Sequence, residues 1–134
     1  QSPDTERALV ARVIDGDTIE LADGRVVRYL GINAPETVHP ERPVECFGPE
    51  ASAKNKELVQ GKVVELQRGS EEIDRFGRSL RYVHFGGVFV NAELVAEGYA
   101  RPYIFDPDDR YSQVLVQLGQ WAKLRGHGLW GVCD

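Results

Sequence analysis

Asp17, in the tract Asp15-Gly16-Asp17-Thr18, is followed within twenty residues by Arg28, Asn33 and Glu36. The last three belong to the stretch Arg28-Tyr29-Leu30-Gly31-Ile32-Asn33-Ala34-Pro35-Glu36, and Asp23-Gly24, a strong turn signal, stands between the two groups. Carboxylates, a carboxamide and an arginine therefore meet at one end of an expected hairpin. Carboxylate, carboxamide and backbone carbonyl oxygens are what a hard divalent cation such as Ca²⁺ takes as ligands. Arginine beside such an ion suits a phosphate, because its planar fork matches phosphate oxygens in pairs.

Each residue also has a plainer reading. An Asp in an Asp-Gly-Asp tract is commonly a turn residue. A carboxylate facing a sheet interior needs a partner, and Asp17 has two candidates: an ion pair with Arg28, or a cation. Asn33-Ala34-Pro35-Glu36 reads as a strand exit, since Pro35 pushes Ala34 out of helical geometry. Its chemical reading gives the Asn33 side chain and the Ala34 carbonyl to the ion, with Glu36 polarising a water as general base. Arg78 lies in a second turn, Asp74-Arg75-Phe76-Gly77-Arg78. A single arginine is ordinarily a solvated surface charge. Two arginines and a metal are the parts that stabilise a phosphodiester transition state, placing cations where charge develops.

The elements that must hold these residues follow from periodicity. Residues 1–7 are polar and read as a disordered lead-in; residues 8–134 read as one domain. Alternation of apolar residues from Ala8 to Ile32 predicts three strands. With a two-residue turn at Asp23-Gly24, opposed residue numbers would sum to 47, so Asp17 would face Leu30 and Ile19 would face Arg28. Asp17 and Arg28 would then share a face with Ile19, Leu21 and Val26. Strict alternation puts Asn33 on the other face, so it must lie beyond the regular strand, or past a bend at Gly31, to join Asp17.

After a loop holding Pro40 and Pro43, Gly48-Pro49-Glu50 predicts a helix start, running to Gln60-Gly61. Strands are expected at Val63–Leu66, Leu80–Phe85 and Val88–Val90. Asn91 is expected to cap a short helix through Glu97, and Val114 to Ala122 follow helical spacing up to Gly126. Five strands in a small curled sheet with appended helices fit an OB-type barrel. Tyr99, Tyr103, Phe105 and Tyr111 are expected mostly to seal the barrel against the last helix, with Tyr103 the best base platform.

Composition sets outer bounds. The 134 residues carry 42% apolar and 28% charged side chains, as an ordinary globular domain does. A net charge of −5 argues against coating a polyanion by bulk electrostatics, so basic residues must be focused locally. Twelve of the sixteen basic residues are arginine. No run approaches a membrane span. The chain opens on Gln1 and lacks Met, which reads as a processed product whose targeting segment is out of view. Cys46 and Cys133 are either two buried thiols or one disulfide. With His39 and His127 they lack the paired spacing of structural zinc sites. Asp106-Pro107-Asp108-Asp109 lacks the glycine and distal glutamate of an EF-hand loop and reads as an acidic turn.

The combination resembles the staphylococcal nuclease (thermonuclease) family over nearly the whole chain. The resemblance rests on Val13-Ile14-Asp15-Gly16-Asp17-Thr18, Arg28…Asn33-Ala34-Pro35-Glu36-Thr37, Phe47-Gly48-Pro49-Glu50-Ala51-Ser52-Ala53, Asp74-Arg75-Phe76-Gly77-Arg78, Val90-Asn91-Ala92-Glu93-Leu94-Val95…Gly98 and Gly128-Leu129-Trp130. It implies an OB-fold five-stranded barrel with three helices. It implies Ca²⁺-dependent hydrolysis of DNA and RNA to 3′-phosphate ends, by a monomer that is secreted or held in the cell envelope. By position, Asp17, Asn33 and the Ala34 backbone carbonyl match the calcium ligands, with Asn33 where the best-known member has Asp. Glu36 matches the proposed general base, and Arg28 and Arg78 the two phosphate-binding arginines. Arg75 and Tyr103 resemble residues lining the nucleotide's phosphate and base. Phe76 replaces a familiar Tyr and loses its hydroxyl. Some relatives pair a Cys-Phe-Gly at the first helix with a Cys after Leu-Trp-Gly, which implies a Cys46–Cys133 disulfide. Asn33 and the acidic balance leave room for the alternative, a catalytically weak nucleic-acid-binding OB module.

Overall fold

The computed structural model describes residues 4–39 and 41–133. Five strands form the barrel: β1 (Thr5–Asp15), β2 (Thr18–Leu21), β3 (Val26–Tyr29), β5 (Val63–Ile73) and β6 (Ser79–Phe85). They run in the order β3-β2-β1-β5-β6, and a parallel pairing of β3 with β6 closes the sheet on itself. This is the expected OB-type barrel. A short β4 (Ile32–Asn33) pairs with β8 (Arg101–Pro102), and β7 (Val88–Phe89) extends β6. Three helices accompany the barrel: α1 (Gly48–Val59), α2 (Val90–Ala96) and α3 (Ser112–Arg125). A single turn, α4 (Leu129–Val132), follows.

The barrel closes because β1 serves two neighbours. Its first half, Thr5–Leu9, pairs with β5, and its second half, from Val10, pairs with β2. Register shifts between Val10 and Arg12 and between Val13 and Asp15 bend the strand between them. Val10, Ile19, Val27, Val64, Leu66 and Val83 are fully buried, joined by Tyr29 and Leu21. Burying each such side chain contributes roughly 1.5–3 kcal/mol. Tyr29 brings a polar tip into this core. Its hydroxyl donates to Asn55 Oδ1 of α1 at 2.7 Å, and burial raises its pKa well above the phenol range.

Four expectations change. The lead-in is shorter, because Thr5, Glu6 and Arg7 are already paired with β5; residues 1–3 lie outside the described residues. The hairpin register is one residue off, with Thr18 opposite Arg28, Ile19 opposite Val27 and Glu20 opposite Val26. The reason is a loop of three residues rather than two. Leu21 N–H donates to the Arg25 carbonyl at 2.8 Å, and Gly24 takes the positive φ of 94° that the added residue requires. Asn91 does not cap α2. It is fully buried, accepting from Val83 N at 2.9 Å and donating to the Leu30 carbonyl at 2.8 Å, and so ties the helix to the barrel. Finally, β5 runs on to Ile73, seven residues past Leu66.

Of the four aromatics expected to seal the barrel, Tyr99 and Tyr111 pack against the core. Tyr103 and Phe105 instead stand 48% and 71% exposed, edge to face at 4.8 Å. Cys46 and Cys133 form the implied disulfide, across a sequence separation of 87. In the chain-entropy account a loop of that size stabilises by ~4–5 kcal/mol. Among the described residues no helix is long and apolar enough to cross a membrane.

Candidate active site

Gly16 sets the geometry of the first carboxylates. A Cβ there would come within 2.7 Å of the Ala34 Cβ and 2.8 Å of the Ala51 Cβ. Only glycine lets the β1–β2 turn press against both the 34–36 segment and α1. Asn55 of α1 fixes the turn from behind, donating to the Asp15 carbonyl at 2.9 Å.

Asp17 is buried and fully engaged. Oδ1 accepts from the Thr18 hydroxyl at 2.8 Å, and Oδ2 accepts from the Ala34 N–H at 2.7 Å. Arg28 Nη2 lies 3.4 Å from Oδ2. The ion pair the sequence suggested therefore exists, but not on the expected face. In the observed register Arg28 shares the outward face with Thr18, while Ile19 and Val27 face the core. Asp17 stands beyond the end of β2, where alternation no longer governs its side chain.

Arg28 is held by the bend that follows it. Gly31 turns the chain with φ 77°, bringing Ile32 and Asn33 back alongside the guanidinium. Nη1 donates to the Tyr29 carbonyl at 2.7 Å and to the Ile32 carbonyl at 2.8 Å, and Nη2 donates to Asn33 Oδ1 at 3.2 Å. Past the bend at Gly31, one of the two routes left open by alternation, Asn33 meets Arg28, which also pairs with Asp17.

Glu36 leaves the barrel half-buried. Its Oε1 accepts from Val38 N at 3.1 Å. Its main chain is bound on both sides to Glu45: Glu36 N donates to Glu45 Oε1 at 2.6 Å, and Glu45 N donates to the Glu36 carbonyl at 2.8 Å. Arg78 comes from the tight turn before β6. Asp74 organises that turn, accepting from Phe76 N and Arg78 N at 2.9 Å each and from Arg78 Nε at 2.7 Å. Burial works to raise the Asp74 carboxyl, but hydrogen bonds from Arg78 and Phe76 outweigh it and hold the group below its ordinary value. Phe76 is 69% exposed, and the Arg75 and Arg78 guanidinium carbons sit 4.9 Å and 5.4 Å from its ring centre.

These residues line one cleft of about 600 Å³: Asp17, Arg28, Asn33, Glu36, Arg75 and Arg78, with Asp15, Thr18, His39, Arg42 and Phe76. A second cleft of about 670 Å³ shares Arg28, Arg75, Phe76 and Arg78 and continues to Tyr103 and Phe105. Every candidate side chain therefore borders one of two clefts with a common wall. Ala34 is buried and donates its N–H to Asp17.

Asp15 is the residue that sequence reasoning passed over. It is 7% exposed, borders the cleft, and accepts from Asp17 N at 3.1 Å. Burial first, then the charge of Asp17 and more weakly that of Glu36, push its carboxyl up to about 7. The available signal was the second carboxylate of the same Asp-Gly-Asp tract. His39 and Arg42, from the loop after Glu36, also reach the cleft.

The donor set suits a hard cation. The charges of Asp17 and Glu36 add to the cost of ionising buried Asp15 in the cleft, and a divalent ion relieves that repulsion. Among the described residues no group of three or more His, Cys, Asp or Glu is arranged to hold a metal by itself. Asp17 and the Asn33 carboxamide, which both border the cleft, offer oxygen donors of a different kind.

Comparison with known proteins agrees with this geometry. Residues 26–132 match the family model described as staphylococcal nuclease homologue. A thermonuclease of Staphylococcus intermedius is 38% identical over 128 residues, covering 93% of this chain and 76% of the relative. A thermonuclease of Staphylococcus hyicus is 38% identical over 124 residues, covering 90% and 73%. Endonuclease YncB of Bacillus subtilis is 42% identical over 125 residues, covering 89% of this chain and 59% of that protein. With its barrel, its cleft and these relatives, the chain belongs to the staphylococcal nuclease homologue family.

Proposed function

We propose that this protein is a Ca²⁺-dependent nuclease that hydrolyses phosphodiester bonds of DNA and RNA and leaves 3′-phosphate ends. The observation that carries the reading is the convergence of the Arg28 and Arg78 side chains with Asp17, Asn33 and Glu36 on one cleft. The nuclease names of its relatives support it.

A Ca²⁺ ion held by Asp17, Asn33 and the Ala34 carbonyl would supply Lewis-acid stabilisation of charge on a phosphoryl oxygen. Glu36 accepts a proton from the attacking water as the water oxygen bonds to phosphorus. The P–O5′ bond breaks, leaving phosphate on the 3′ side and a hydroxyl on the 5′ side. Arg28 and Arg78 hydrogen-bond the non-bridging oxygens, and one of them assists the departing O5′. Arg28 is preorganised for this, because two main-chain carbonyls fix the plane of its guanidinium. Arg75 holds a neighbouring phosphate, and Tyr103 offers its exposed ring to a base. The Cys46–Cys133 bridge supports an oxidising location, outside the cell or in its envelope. The working unit is a monomer.

Asn33 favours a second reading. It leaves the ligand set one negative charge short of a two-carboxylate site, which suits a barrel that binds nucleic acid and cleaves weakly. Digestion of heat-denatured DNA with Ca²⁺ or with a chelator separates the two. Chelator-sensitive cleavage, with products that accept 5′-labelling phosphate directly and 3′-extension only after phosphatase treatment, supports the enzyme. Tight binding without cleavage selects the module.

A further inference from the structure

The carboxylate of Glu36 is aimed by its main chain, and one exposed residue of the following loop grips that main chain from both sides. Glu45 Oε1 accepts from Glu36 N at 2.6 Å, and Glu45 N donates back to the Glu36 carbonyl at 2.8 Å. The Glu45 carbonyl in turn accepts from Gly48 N at 2.9 Å, at the first residue of α1. Glu45 therefore couples the 36–39 segment to a helix that Asn55 locks onto the barrel. Close approach tightens the same junction, since a Cβ on Gly48 would meet the Glu36 carbonyl oxygen at 3.0 Å.

The junction has a cost that something must hold. Phe47, between Cys46 and Gly48, has φ 71°, a left-handed conformation disfavoured for a bulky residue. Two contacts flank it. Its ring lies 5.4 Å from that of Tyr99, and the preceding Cys46 is bonded to Cys133. The bridge thus fastens the residue next to Glu45 to the C-terminal end of the chain.

We propose that Glu45 is a positioning residue for Glu36, and that the Cys46–Cys133 bridge holds Glu45 in place to do it. A charge-assisted hydrogen bond to a main-chain N–H is short and directional. Its loss lets residues 36–39 reorient, and small displacements of a general base are expensive in rate. The idea rests on Glu36 being the base, so its test carries a readout independent of activity.

Deuterium exchange at the Glu36 amide is measured by NMR without Ca²⁺ or substrate, alongside kcat and KM on denatured DNA. Glu45→Ala should speed that exchange at least tenfold and lower kcat about tenfold while KM stays within twofold. Glu45→Gln keeps an acceptor oxygen and should restore both to within threefold of the parent. The Cys46→Ser/Cys133→Ser double variant should speed the exchange by a smaller factor. Unchanged exchange in Glu45→Ala overturns the grip, and unchanged exchange in the double variant overturns the part given to the bridge. A Glu45→Ala variant with full kcat, when Glu36→Gln has lost it, overturns the positioning role. If exchange responds but Glu36→Gln also retains full kcat, the grip stands and the assignment of Glu36 as base fails.

Discussion

The two arginines of the cleft are held in opposite ways. Arg28 is tied to four residues, Asp17, Tyr29, Ile32 and Asn33, and its side chain is 14% exposed. Arg78 is tied to the Asp74 carboxylate four residues away, and its side chain is 33% exposed. The first knits the end of β3 to the turn before β2 and to β4, so it is part of the fold as well as the site. The second belongs to a local turn that β6 would keep without it. The two arginines, proposed for the same chemistry, should thus separate in stability while acting together in turnover.

The sharpest way to break that comparison is to remove each arginine. Arg28→Ala and Arg78→Ala should both lower kcat by about 10²–10³, the scale of losing one transition-state donor. Arg28→Ala should also destabilise, by about 1–3 kcal/mol and by more than Arg78→Ala does, because Asp17 and two main-chain carbonyls lose a buried partner. Urea unfolding of the two variants checks this, and equal stability losses would dissolve the distinction. Arg28→Lys should not rescue turnover, since one ammonium cannot satisfy two carbonyls and a carboxylate in that plane.

A smaller effect concerns the cation. Asn33→Asp adds one negative charge beside Asp17 and Arg28, and the Ca²⁺ concentration giving half activity should fall roughly tenfold, equivalent to ~1.4 kcal/mol. Titrating activity with Ca²⁺ in both proteins measures it. An unchanged midpoint would mean that Asn33 is a partner of Arg28 and not a ligand.

The smallest effect is the acid sensitivity of the Arg78 turn. The folded Asp74 carboxyl is held below its ordinary value. Its contribution is therefore fully present above that ordinary value and is lost as pH falls through the folded one. Asp74→Asn should narrow the difference in stability between pH 6 and pH 3, read by denaturant unfolding at each pH. A wild-type pH dependence in that variant would show that the pair adds nothing measurable.

The same contrast explains what was legible in the residues themselves. Local chemistry read well. Gly48-Pro49-Glu50 starts α1 as expected, and the Asp74–Arg78 turn leads into β6. The bend at Gly31 was one of two routes that alternation left open for Asn33. Long-range consequences read less well. One extra loop residue at Ala22-Asp23-Gly24 shifted the whole hairpin register and moved Arg28 to the outward face. Asn91 looked like a cap because its partners, Val83 and Leu30, are set by barrel closure. Asp15 was passed over because its burial depends on α1 packing over the turn. For the cysteines, free thiols and a bridge were both compatible with the residues alone; the bridge that the family resemblance implies is the one that forms.

The central claim is that Glu36 serves as the base in a Ca²⁺-dependent phosphodiesterase, and one substitution tests it most directly. Glu36→Gln keeps the size of the side chain and an acceptor for the Val38 N–H but cannot take a proton at neutral pH. On denatured DNA with saturating Ca²⁺, kcat should fall by about 10²–10⁴, with unfolding midpoint and substrate binding close to the parent protein. Parental turnover by Glu36→Gln, in a sample whose activity still vanishes with chelator, would contradict the assignment.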